Sequence, residues 1–132
     1  MRTPGSPPRE VTRSGKRFDT TGRLDALRSA LLALHKAVLS VERRNLERVH
    51  GRVGNAEFLQ IVSDPVRYGW LKPFSQLILA IDDEDYGGDV LADARELLKP
   101  PKSDTPFGRR YLSLMQREPA LVVEHRNVTR LL

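Results

Sequence analysis

"LDALRSALLALHKAVLSVERRNLERVH", residues 24–50, decides the fold. Leu24, Leu27, Leu31, Leu34, Val38 and Val41 recur at spacings of 3, 4, 3, 4 and 3, a two-heptad apolar seam. Leu46 and Val49 continue it after a slip of one residue. Ala26, Ala30, Ala33 and Ala37 flank the seam and favour helix strongly. Thr20 or Thr21 is a plausible N-cap, and Gly51 and Gly54 end the run. The spacing therefore predicts a helix over about 23–50, long enough to be the spine of the molecule.

Downstream, the pattern stays helical. Asn55 is placed to cap a short helix carrying Phe58, Leu59, Ile61 and Val62. Asp64-Pro65 is a restart signal, an N-cap carboxylate followed by proline at the first helical position. The stretch "VRYGWLKPFSQ", residues 66–76, sets Trp70 and Phe74 on one stripe with Leu77 and Ile81, which predicts that both rings are buried. Proline at 73 clashes in a continuous helix with the carbonyl of Gly69, so a kink or break is expected near Lys72-Pro73. Arg67, Tyr68 and Lys72 fall off the stripe and form a candidate contact surface. "DDEDYGGD" reads as a loop, "VLADARELLK" as an amphipathic helix closed by Pro100-Pro101, and Thr105-Pro106 repeats the cap-plus-proline device. Pro119 can open a last helix. No segment alternates in the manner of a strand. The fold class is all-α, a compact bundle of five or six helices over residues 21–132.

Residues 1–20 hold Pro4, Pro7 and Pro8, five cations and Phe18 as their one large apolar group, a composition that predicts a disordered basic tail. The chain's formal charge of +5 is segregated: +3 over 1–20, +4 over 21–54, −5 over 55–99 and +3 over 100–132. Arginine outnumbers lysine 17 to 5, a bias that GC-rich coding also produces. Cysteine is absent, which excludes disulfides, thiolate nucleophiles and Cys-based zinc sites. The aliphatic runs are far short of the roughly 20 residues that span a bilayer, and residues 1–22 have no apolar signal core. The expectation is a soluble cytoplasmic protein with no membrane partner.

The segment Asp64, Pro65, Trp70, Leu71, Pro73, Ser75, Leu77, Ile78, Ile81, Asp82, with the long helix before it and "GRRYLSLMQREPALVVEH" after it, resembles an uncharacterised group of small all-helical bacterial proteins. Their shared element reads D-P…W-L-x-P-x-S-x-L-I-x-x-I-D. The resemblance covers most of residues 24–130 and implies a bacterial source and a helical unit. It implies no activity and no cofactor.

Chemistry-bearing patterns are sparse. "DDEDYGGDVLADA" lies between two helices, but an EF-hand frame starting at Asp83 meets Gly87 at position 5 and Ala94 at position 12, and one starting at Asp82 meets Tyr86 and Asp93. Asp83, Asp85 and Asp89 are thus weak metal candidates, and an acidic turn ending in Asp89 as a helix cap is the plainer reading. His35, His50 and His125 lie far apart, and His125 on the stripe Leu121, His125, Val128 is expected to be partly buried with one hydrogen-bond partner. There is no G-x-S-x-G, Walker or dinucleotide motif, so the reading leans away from an enzyme and assigns no catalytic residue or cofactor.

Two function classes remain. The first is a non-enzymatic helical protein acting through protein–protein contacts, a regulatory or accessory module with an unidentified protein partner. Its regular seam also allows a homodimer, and its basic long helix and acidic 82–96 region could pair within the fold or between copies. The alternative is a nucleic-acid-associated accessory protein. There the tail, Arg109, Arg110, Arg117 and the face of Arg43, Arg44, Arg48 and Arg52 contact phosphates without sequence specificity.

Overall fold

The structure, a computed structural model, describes residues 9–132, and side chains from residue 22 onward. It is an all-α bundle. Six helices longer than one turn make it up: α1 (Arg9–His50), α2 (Asn55–Val62), α4 (Lys72–Asp82), α5 (Val90–Leu98), α6 (Pro106–Arg117) and α7 (Pro119–Thr129). A single turn, α3 (Pro65–Tyr68), and a 3-10 turn, Gly69–Leu71, join α2 to α4. No described helix is long and apolar enough to cross a membrane.

The spine is α1, and its seam is the floor of the core. Leu27, Leu31, Leu34 and Val38 are wholly buried, Val41 and Leu46 nearly so, and α4 and α7 lie along them. Two expectations for this helix need correction. It begins at Arg9, not near residue 23, so Thr20 and Thr21 lie inside it and are not caps. Pro7 and Pro8 are the last prolines before Pro65, so nothing in 9–50 forbids helix. Of the expected tail, residues 1–8 lie outside the described residues, as do the side chains up to 21. Val49 is 78% exposed, because α2 folds back over the opposite flank, where Leu46, Val53 and Phe58 form a small satellite core.

Gly51 ends α1 with φ +83, the left-handed conformation in which only glycine lacks a Cβ penalty, and its N–H donates to the Glu47 carbonyl at 2.8 Å. The side chain of Asn55 does not cap α2. Gly54 holds the cap position, and Asn55 Oδ1 accepts from Arg43 Nη1 at 2.8 Å. The other caps match the sequence reading. Asp64 Oδ1 accepts from Val66 N at 3.0 Å, Asp89 Oδ1 from Ala92 N at 3.2 Å, and Thr105 Oγ1 from Gly108 N at 2.9 Å. Gly108 has a further reason to be glycine, since a Cβ there would stand 1.7 Å from the Lys102 carbonyl oxygen.

The break expected near Lys72-Pro73 is present, one turn earlier than the proline. Tyr68 leaves the helix at φ −121, ψ 10, and the 3-10 turn follows. Lys72 itself is helical (φ −55, ψ −44), and Pro73 sits in the first turn of α4, where it lacks no needed N–H and meets no helical carbonyl behind it.

Aromatic rings link the layers. Phe107 packs against Trp70, Phe74 and Tyr111 at centroid distances of 6.2, 6.0 and 5.0 Å, and Tyr111 meets His125 at 5.5 Å. His125 Nδ1 lies 2.8 Å from the buried Tyr111 hydroxyl, the single partner expected for it. Burial raises the pKa of that phenol and lowers that of the imidazole, so the contact joins two neutral groups. His35, also lowered by burial, lies 3.3 Å from Ser75 Oγ. At the far end of the bundle, Arg23 and Arg95 donate to the backbone oxygens of Leu131 and Leu132.

Phe74 is wholly buried, whereas Trp70, expected beside it, is only half-buried. Urea denaturation should therefore show Phe74→Ala costing about 3–5 kcal/mol and Trp70→Ala markedly less, about 1–2 kcal/mol. Equal losses would contradict the placement of the two rings. Both half-buried histidines resist protonation in the fold, so the unfolded chain takes up protons first as pH falls below the usual histidine value of about 6.5. Stability should fall between pH 7.5 and pH 5.5, and the His35→Gln, His125→Gln double variant should lose less over that interval.

Candidate functional site

Breaking the α3–α4 segment leaves Trp70 at the lip of a groove. Its walls are the 3-10 turn and α4 on one side and α5 with the 102–107 segment on the other. The groove has a volume of about 760 Å³. Its floor is apolar: Pro73, Leu77, Leu97 and Phe107. Leu79 adds an exposed apolar side chain, 67% accessible, at the edge. Asp83, Asp93 and Glu96 stand on the rim, and the single cation there, Lys102, is paired with Glu96 at 3.3 Å. An acidic margin around an apolar floor is thus a property of α4 and α5 together.

The acidic turn that supplies Asp83 to this rim is itself ordered by side-chain contacts. Asp83 Oδ1 accepts from Asp85 N at 2.9 Å, Asp89 caps α5, and the Tyr86 hydroxyl donates to Asp93. That hydrogen bond, more than burial, raises the Tyr86 pKa. Two of the three weak metal candidates, Asp83 and Asp89, therefore serve backbone N–H groups, and among the described residues no three His, Cys, Asp or Glu side chains are gathered to hold a metal. Residues 82–89 are exposed, and among the described residues the pairing that this region could make with the long helix is made at one point, Arg28 to Asp82 at 2.8 Å.

A second, smaller concavity of about 350 Å³ shares Trp70 with the groove. Glu42 and Asn45 of α1, Arg67 and Tyr68 of α3, and Arg110 of α6 line it. Glu42 is the one buried charged residue among those described, 5% exposed, and its Oε1 accepts from Arg110 Nη2 at 2.7 Å. The Arg67 guanidinium lies 5.8 Å from the Tyr68 ring centroid. Burial raises the pKa of the Tyr68 hydroxyl, with Glu42 adding and Arg67 and Arg110 opposing, so it is neutral and able both to donate and to accept.

The candidate contact surface divides. Arg67 and Lys72 are exposed as expected, but Tyr68 is buried, because the 3-10 turn rotates it inward against the core that α1 and α6 share. Arg67 and Tyr68 come together in the smaller pocket, and Lys72 lines neither concavity. Of the phosphate face, Arg43 is held inside the fold by Asn55, by the Val53 carbonyl and by the Phe58 ring, 5.4 Å from its guanidinium. Arg44 pairs with Glu118 at 2.9 Å. Arg48 and Arg52 alone stay exposed without an ion pair among the described residues. Arg109 and Arg117 bond within their own region, to the Asp104 carbonyl and to Ser113.

Glu42 is the residue that sequence reasoning missed. Its signal was present: it lies four residues beyond Val38 and directly after Val41, on the flank of the buried seam, where a carboxylate needs a cationic partner.

Comparison of the chain with family models, with curated proteins and with solved structures finds no match.

Removing Arg110 strands a carboxylate that is already out of water. Arg110→Ala should cost about 1–3 kcal/mol in urea denaturation, the partial exposure of the guanidinium keeping it below the loss for a fully buried pair. The same change in a Glu42→Gln background should cost clearly less. Additivity of the two would mean that the ion pair is not what ties α1 to α6.

Proposed function

We propose that this protein is a small non-enzymatic helical module, regulatory or accessory, that acts by holding a segment of another protein in the groove between α4 and α5. One observation carries the reading: an apolar floor built by Pro73, Leu77 and Phe107, with Trp70 at its lip, is ringed by Asp83, Asp93 and Glu96. Apolar surface left open to water at Trp70, Pro73 and Leu79 favours burial against a partner. The carboxylates select what that partner carries: lysine or arginine beside its apolar anchors, with charge speeding encounter and rejecting acidic competitors. The groove is thus suited to an amphipathic basic helix, in the manner of helix-in-groove recognition.

Trp70 is the chain's one tryptophan and lies at the groove, so its fluorescence reports occupancy. A synthetic amphipathic peptide of leucine and lysine should change Trp70 emission saturably, and more weakly as salt is raised. A leucine–glutamate peptide of the same pattern should not. The Asp93→Lys, Glu96→Lys double variant should bind the basic peptide at least tenfold more weakly. Binding indifferent to that charge reversal, or none at low salt, would overturn the reading.

A further inference from the structure

The smaller pocket holds an arrangement that the groove does not explain. A buried carboxylate is costly unless it is paired and hydrogen-bonded, and each of its two oxygens can accept. Glu42 is 5% exposed and Tyr68 6%, yet among the described residues the chain supplies a partner to Glu42 Oε1 alone. Among the described residues neither Glu42 Oε2 nor the Tyr68 hydroxyl has a hydrogen-bond partner, and both residues line the cavity. Beside them stands Arg67, exposed and without an acidic partner among the described residues, and the remaining N–H groups of Arg110, whose side chain is 39% exposed. Asn45 contributes an amide able to donate or accept.

Acceptor and donor sets therefore lie side by side. A simple oxyanion would satisfy the two guanidiniums and face the Glu42 carboxylate. A simple cation would satisfy Glu42 and face the guanidiniums. A ligand carrying both charges a few bonds apart satisfies every group, and Tyr68 and Trp70 add aromatic lining beside its carbon skeleton. The volume of about 350 Å³ is that of a metabolite site and too small for a peptide helix.

We propose that this pocket binds a small amphoteric metabolite, an α-amino acid or a close analogue. Its ammonium group lies on Glu42 Oε2 and the Tyr68 hydroxyl, and its acid group on Arg67 and Arg110. The inference uses none of the groove's acidic rim, and it stands or falls apart from the proposed peptide partner.

Isothermal titration of the full chain with each of the twenty common amino acids tests it, with inorganic phosphate and ammonium chloride as single-charge controls. At least one amino acid should bind saturably, and neither control should match it. Arg67→Ala, a change at an exposed residue, should weaken that binding about tenfold to a hundredfold, as loss of a charged hydrogen bond does. Tyr68→Phe, which keeps the ring, should weaken it several-fold, and the groove variant Asp93→Lys, Glu96→Lys should leave it unchanged. Three results would overturn the proposal: no binding by any amino acid, equal binding of phosphate alone, or binding that survives Arg67→Ala intact.

Discussion

Everything in this molecule is organised by one dry stripe on a long helix. Leu27, Leu31, Leu34 and Val38 have no contact with water, and a helix with such a face can exist in solution only if something covers it. The cover comes from α4 and α7, whose own apolar faces are too short to form stable helices by themselves. The burial is mutual: α1 gives the short helices a surface, and they remove its stripe from water. Phe74, Tyr111, Leu121 and Val128 enter the same cluster from three different helices.

The concavities follow from how the covering chain is punctuated. Proline and N-cap residues occur together at Asp64-Pro65 and Thr105-Pro106, and each pair starts a helix in a new direction. Between the first of these and α4, the 3-10 turn inserts a change of phase. That change rotates Tyr68 into the core and lifts Trp70 partly out of it. A continuous helix across 65–82 would put Trp70 on the buried stripe with Phe74, and the groove would lose its lip. The recessed surface is therefore a consequence of two prolines eight residues apart, Pro65 and Pro73, that no single straight helix accommodates.

Periodicity and punctuation made most of the architecture legible. The seam from Leu24 to Val41, the caps at Asp64, Asp89 and Thr105, and the break before Pro73 all follow from local chemistry, and all stand in the structure. Phase was not legible. A stripe drawn through Trp70 assumes 100° per residue, and one 3-10 turn invalidates it, exchanging the environments of Tyr68 and Trp70. Long-range polar pairing was equally hidden. Glu42 and Arg110 are 68 positions apart, and nothing local to either names the other. The basic face at the end of α1 read as a surface of four cations, because composition does not reveal that Arg43 and Arg44 are used to fasten α2 and the start of α7.

Trp70 is the point at which the two recesses meet, since its side chain lines both. Its neighbours restrain it unequally. Phe107 backs it from the core at 6.2 Å, but its outer edge is open. A packed side chain moves between discrete rotamers and does not deform continuously, so a shift of this ring changes the walls of both cavities at once. Any occupant of one recess that prefers one Trp70 rotamer biases the shape offered by the other, and linkage makes that influence reciprocal. The backbone beneath it is a 3-10 turn, poorer in hydrogen-bond geometry than the α-helices on either side, and it carries the one aromatic residue shared by both surfaces.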